Sequence, residues 1–444
     1  MSDSEKLGKA SPRGKAGLSR RSFVAASAAG AALPLISSRG VWAADSENVI
    51  RVGFVSPVTG NLGGFGVGDG YLTKQVRKAL DKGLKVGDKT YKVILLDRDS
   101  QSDPARAGQL AKALISSDKI DFMLVTSTPE VVNPVADACE GAGVPCLSTV
   151  MPWEAWYFGR GGKPGQPSPF KWTYHFAFGG AQFAGLYLSL WTQVPNNKKV
   201  GVMFPNDADG NAVRPLLTEA FKKADYTVID PGPFEDGTSD YSAQISLFKK
   251  EKVDLFVALV LPPDFATMWR AAAAQGFAKT TKIATPTKSG TNPTEMEALG
   301  ALGYNLTTTS PWVPAAPYSS PLLGMTSQQL ADGYEAGSGK QVTQQLGATN
   351  AVFDAGFQAL QMSGDPLNKP VLAKTLSNLK CQTTVGLIDF NTGPMPHVIA
   401  VTPLFGTQWR KAPAGSKWKL QQVVAENAAD PNYKVTDKLI PYNA

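Results

Sequence analysis

Short β-branched runs alternate with helix-period runs along most of this chain, and that rhythm admits few folds. Residues 50–56 (IRVGFVS) and 92–97 (KVILLD) read as strands, with an amphipathic helix over 71–82 between them, closing near Gly83. Ser102-Asp103-Pro104 places a cap and a first-turn proline before a helix over 105–116. A strand over 121–125, a helix over 131–140 and a strand over 145–148 continue the series. Repeated β-α-β units of this kind make a parallel sheet covered by helices on both faces.

The rhythm breaks at residues 151–182, rich in Gly, Pro and aromatics, and then resumes. Strands over 199–204, 226–229, 253–260 and 282–284 alternate with helices over 212–224, 241–251 and 265–275. Two such series joined by an irregular crossing imply an α/β protein of two doubly wound, Rossmann-like lobes. After Pro311 come helices over 327–337, 350–363 and 369–379. The end is strand-rich, and 398–404 with 418–424 reads as a hairpin or edge addition around a Gly/Pro turn. The expected division is 44–177 plus 310–368 for lobe one, and 178–309 plus 369–444 for lobe two with the C-terminal strands.

Before the first strand, Ser19-Arg20-Arg21-Ser22-Phe23-Val24 forms a twin-arginine export pattern. Basic residues precede it, and a mostly apolar run over 23–36 follows, ending before Val41-Trp42-Ala43. That run is too short for a bilayer, which needs about 20 residues. Residues 1–43 therefore read as a twin-arginine signal peptide, cleaved near Ala43. The expected location is periplasmic, and the twin-arginine translocase is the export partner. This reading also disposes of the basic charge. The full chain is formally +7, but residues 1–43 hold seven of its 44 Lys/Arg and two of its 37 Asp/Glu, so the remainder carries +2. Without a basic run interleaved with aromatics, no nucleic-acid partner is expected.

Catalytic signatures are missing from the sequence. Gly60 to Gly70 (GNLGGFGVGDG) follows a strand and precedes a helix, but its glycines do not fall at G-x-G-x-x-G. Backbone N–H groups there suit an anionic or polar ligand at most. His175 and His397 are far apart and outside any metal spacing. Cys139 and Cys146 straddle a helix end and the next strand, so a local disulfide and two buried free thiols both remain open; Cys381 stands alone. No cofactor, metal or enzymatic activity is expected.

Export, two αβ lobes and the run IRVGFVSPVTG (50–60) together resemble periplasmic solute-binding proteins of the branched-chain amino-acid type, which serve ABC importers. Four more features carry the resemblance: Gly66 and Gly70, DRDSQSDP (97–104), NPVADACEGAGVP (133–145) and VGVMFPNDADG (200–210). It covers roughly residues 48–365. It implies a type I periplasmic binding fold, a three-stranded hinge, closure on a small-molecule ligand, and an inner-membrane permease as partner. By position it implies ligand contacts from Phe65, Ser127, Thr128, Thr149 and Val150 in lobe one. Asp209, Leu261 and Thr287 follow from lobe two, and Trp312 from the return crossing.

Departures from the family matter as much. Amino-acid binders carry a carboxylate near the end of the strand at 282–284, where this chain has Thr285-Pro-Thr-Lys-Ser289 and so presents Lys288. The expanded segment bearing Trp153, Trp156, Tyr157, Phe158, Trp172, Tyr174 and Phe176 offers either aromatic surface to the cleft or a packed flap. These departures point to an organic acid with an aromatic or apolar body, or an amino-acid-like compound. The competing picture is an aromatic cage for a cationic amine with Asp209 as counter-charge. A sensory ligand-binding protein and an exported enzyme remain the alternative functions.

Overall fold

The computed structural model describes residues 48–444, so the leader expected over 1–43 and its cleavage near Ala43 lie outside the described residues. The first sheet grows from β1 (Val49–Ser56), buried along nearly its whole length as a central parallel strand must be. A loop holding the single turn α1 (Gly63–Gly66) leads into α2 (Asp69–Ala79). β2 (Leu84–Val86) and β3 (Lys89–Asp99) form a hairpin before α3 (Pro104–Ser116). The α3 start is the one the sequence announces: the Asp103 carboxylate accepts the Arg106 N–H at 2.7 Å, and Pro104 fills the first turn. β4 (Phe122–Thr126), α4 (Pro129–Ala142) and β5 (Cys146–Thr149) follow, α4 ending on left-handed Gly143. The segment read as irregular contributes a short helix α5 (Trp153–Tyr157) and a further strand β6 (Thr173–Ala177).

The chain then crosses to a second parallel sheet. It is built from α6 (Gly180–Thr192), β7 (Lys199–Met203), α7 (Ala208–Lys223), β8 (Thr227–Ile229) and α8 (Ser242–Lys250). β9 (Leu255–Ala258), α9 (Pro262–Ala274), β10 (Ile283–Pro286), α10 (Pro293–Ala298) and β11 (Thr307–Ser310) complete the run. A return crossing brings a two-stranded ribbon, β12 (Ser319–Ser320) and β13 (Met325–Thr326), then α11 (Ser327–Ser338), α12 (Gln344–Ser363) and α13 (Lys369–Ser377). A second hairpin, β14 (Lys380–Thr383) with β15 (Gly386–Asp389), precedes β16 (Ile399–Val401). The third crossing leads to β17 (Phe405–Lys411) and β18 (Leu420–Glu426).

Strand order is β16-β6-β5-β4-β1-β3-β2 in the first sheet and β10-β9-β7-β8 in the second. A three-stranded antiparallel sheet, β11-β17-β18, lies beside β10, joined through the hydroxyls of Thr285 and Thr307 at 2.6 Å. Two expectations are corrected here. Residues 398–404 and 418–424 do not pair as a hairpin; β16 is an edge addition to the first sheet, parallel to β6, and the C-terminal hairpin is β17 with β18. Residues 369–401 therefore belong with the first lobe rather than the second. Leu372, Leu376, Cys381, Ile388 and Phe390 share one apolar core with β1, β4 and α12. Cys139, Cys146 and Cys381 are buried free thiols.

Candidate ligand-binding cleft

In each sheet the connections reverse direction beside the first strand, between β1 and β4 and between β7 and β9. Loops at the carboxyl ends of such strands diverge and leave a crevice, which is where open αβ sheets hold ligands. The two crevices face each other across a narrow cavity of about 40 Å³. Phe65, Ser127, Thr128, Val150 and Met151 line it from lobe one, and Asp209, Leu259, Thr287, Lys288 and Thr291 from lobe two. Phe178 and Pro311 close it at the crossings, and Gln344 and Gln345 at the start of α12. The lobes touch around this cavity: Ala212 and Leu261 of lobe two pack on the apolar cluster beneath β4 and β5.

The first-lobe wall is built from unusual backbone. Ser127 has φ 114° and Val150 φ 90°, values that side-chain-bearing residues adopt only under constraint from their surroundings. Thr128 caps α4 without using its side chain to do so. The buried Ser127 hydroxyl has no partner, nor do Thr291 Oγ1, Gln344 Oε1 and Gln345 Oε1, and the buried Thr128 hydroxyl has none but the neighbouring Glu130 carboxylate. Buried polar groups without partners are costly, so this set is available to water or to a solute in the cavity.

Lys288 does not stand free, as an anion-holding lysine would. Its ammonium lies 2.8 Å from Asp209 Oδ2 and 3.2 Å from Asp207 Oδ2, with all three side chains largely buried. Burial opposes the charge on Lys288, yet Asp209, Glu130 and Asp207 hold it well above its ordinary value. Burial pushes the Asp209 carboxyl up to about 7 against the pull of Lys288. On the facing lobe, Lys288 holds Glu130 below the usual carboxylate range in spite of burial. The cavity wall itself carries one carboxylate, Asp209, and one ammonium, Lys288, with Asp207 and Glu130 close behind them.

Four expected contacts do not line the cavity. Thr149 sits one residue before the strained Val150, and its hydroxyl donates to the Phe176 carbonyl at 2.6 Å within the sheet. Leu261 packs between the lobes outside the cavity. Trp312 is fully buried beside α12, its Nε1 donating to Ser327 Oγ at 2.9 Å. Trp153 lies over the first crossing, where a Cβ on Gly179 would meet its indole at 2.2 Å. The rest of the aromatic segment is a packed flap: Trp156 stacks on His175, and the Arg160 guanidinium lies 4.3 Å from the rings of both Trp156 and Phe170. Buried His175 bonds Ser148 Oγ and the Met151 carbonyl, and burial lowers its pKa to about 3. His397 is exposed. Nor does the glycine loop leave an open anion site, because buried Asp69 occupies the first turn of α2.

A family model described as periplasmic binding protein matches residues 49–413. Among solved structures, the leucine-binding protein LivK of Thermotoga maritima shares 17% identity, with a TM-score of 0.68 over 86% of this chain and 99% of that one. A Rhodopseudomonas palustris solute-binding protein crystallised with 4-hydroxybenzoate gives 17% identity and a TM-score of 0.68, covering 87% of this chain and 99% of its own. LivJ of Streptococcus pneumoniae, crystallised with isoleucine, gives 14% and 0.65, covering 88% and 99%. No curated protein matches the chain. The two-lobed architecture is that of type I periplasmic binding proteins, and a family match running from β1 into the C-terminal hairpin means that this chain belongs to the periplasmic binding protein family.

Proposed function

We propose that this protein is the extracytoplasmic solute receptor of an ABC importer, capturing a small organic acid or amino-acid-like compound between its lobes and presenting it to a membrane permease. Family members are binding proteins rather than enzymes, and their setting is periplasmic. The observation that carries the reading is the cavity itself: both lobes contribute buried polar atoms that lack partners, inside apolar walls of Phe65, Phe178 and Leu259. A carboxylate suits the hydroxyls of Ser127 and Thr128 at the start of α4, where charge-assisted bonds and the helix dipole act together. Export through the twin-arginine translocase, with cleavage near Ala43, completes the proposal. Relatives of similar fold were crystallised with 4-hydroxybenzoate and with isoleucine, so both chemistries belong in the screen. A thermal-shift panel of such solutes tests the reading, because a ligand at 100 times its Kd adds about 2.7 kcal/mol to stability. Stabilisation by a solute that a Ser127→Ala, Thr128→Ala double variant binds at least about tenfold more weakly supports it. Absence of stabilisation by any panel member overturns it.

A further inference from the structure

Asp209 is divided between two tasks. Its Oδ2 takes the Lys288 ammonium at 2.8 Å, while its Oδ1, equally buried in a side chain lining the cavity, has no partner. Lys288 also reaches Asp207 Oδ2 at 3.2 Å, and the other Asp207 oxygen is occupied by the Gly210 N–H at 2.6 Å. Facing this group are Glu130 from α4 and Asp236 at the exposed rim, both negative. One ammonium therefore serves two close carboxylates with two more nearby. A solute carboxylate brought to Lys288 would add a like charge to an acidic site and still leave Asp209 Oδ1 unpaired.

Building on the solute-receptor reading, we propose that Asp209 is the specificity-determining acceptor of the second lobe, that Lys288 is a positioning residue holding it, and that the solute presents an N–H or O–H donor there. The preferred ligand is then an apolar-bodied organic molecule with an acceptor for the Ser127 and Thr128 hydroxyls and a donor, amine or hydroxyl, for Asp209. An acid lacking the donor leaves a buried acceptor empty, which sites of this kind penalise strongly.

The test uses solute pairs that differ only in the donor, leucine against 4-methylpentanoate and 4-hydroxybenzoate against benzoate, measured by calorimetry on the purified protein. In at least one pair the donor-bearing member should bind about tenfold or more tightly. Asp209→Ala should bring that ratio close to one. Lys288→Met strips Asp209 of its counter-charge, so the ratio should collapse near neutral pH and recover as the pH is raised and Asp209 ionises; Lys288→Arg should retain it. A purely structural role for Lys288 gives a ratio indifferent to pH. Equal or tighter binding of the plain acids, or an Asp209→Ala variant with an unchanged ratio, overturns the assignment while the cleft stands. Failure of every solute, in these pairs and in the wider thermal-shift panel, overturns both the assignment and the receptor reading.

Discussion

Gly347 decides where Trp312 goes. A Cβ at position 347 would lie 2.1 Å from the indole, so the glycine leaves the face of α12 open for a side chain that sequence position had assigned to the ligand. Gly347→Ala pushes a rigid ring against a buried helix and should destabilise by about 1–3 kcal/mol in urea unfolding, the usual cost of overpacking. Trp312→Ala should cost about 3–5 kcal/mol, as a core aromatic does. A stability change below that range with a large loss of affinity would return Trp312 to the cleft. Glu295 makes a different prediction. Burial pushes its carboxyl up to about 8, its Oε2 has no partner, and its Oε1 lies against Gly64 of the opposite lobe. A closure that forms this contact takes up a proton there: it is unpenalised below the ordinary value of 4.5 and grows costlier as pH rises toward about 8. Affinity should fall with pH across that window, and Glu295→Gln should remove this part of the slope; an identical profile in both proteins contradicts the assignment. The site was legible where topology alone fixes it, since loops after β1, β4, β5, β7 and β10 must border the crevice. Which side chain of a loop points inward was not, because it depends on backbone such as Ser127 at φ 114° and Val150 at φ 90°, which periodicity does not encode. Gln344 and Gln345 are not marked by the apolar period, because α12 begins six residues before that period does, at a Thr343 hydroxyl that caps it. That threonine was the available signal.

Among the elements, α12 carries the most. Nearly all of its first seventeen residues are buried, and Gly356 brings it so close to β4 that a Cβ would lie 2.8 Å from Leu124. Asp354 ties this helix to the returning chain, accepting from Ser320 Oγ at 2.5 Å, Asn350 Nδ2 at 2.9 Å, and the N–H groups of Thr384 and Leu322 at 3.2 and 3.3 Å. Asp354→Ala leaves those donors buried without an acceptor and should cost about 2–4 kcal/mol, because each orphaned group carries its own desolvation penalty. Loss of less than about 1 kcal/mol in urea unfolding would show that the network is dispensable. Strands and helices of the two αβ series were legible because a period of two or 3.6 is written locally. β16 was not: its three residues pair with β6, far away in the chain, and nothing near Ile399 announces that partner. The aromatic run from Trp153 to Phe176 was readable as dense apolar surface but not as a flap, since only tertiary contact with His175 and Arg160 turns it inward.

At the scale of the whole molecule, three crossings join the lobes, after β6, β11 and β16. Such a connection lets one lobe rotate on the other while each core stays intact. Closure must then be driven by the solute, which pairs the polar atoms of both walls. The facing pair Gly64 and Glu295 offers a way to separate closure from binding chemistry, because neither residue lines the cavity. A Cβ on Gly64 would meet Glu295 Oε1 at 2.5 Å, an atom at the free end of a flexible side chain. Gly64→Ala should therefore be tolerated, whereas Gly64→Trp places a ring between the lobes that no carboxylate rotation can clear. For wild type, small-angle scattering should show a decrease on solute binding toward the radius of gyration of a compact chain of this size, about 21 Å. Gly64→Trp should keep the open value at saturating solute and bind at least about tenfold more weakly, because affinity scales with the fraction of molecules able to close. Its unfolding midpoint without solute should match wild type, since the substitution lies outside both cores. If Gly64→Trp compacts normally and binds with wild-type affinity, the lobes do not close against each other at this rim, and the coupling of Glu295 to closure falls with it.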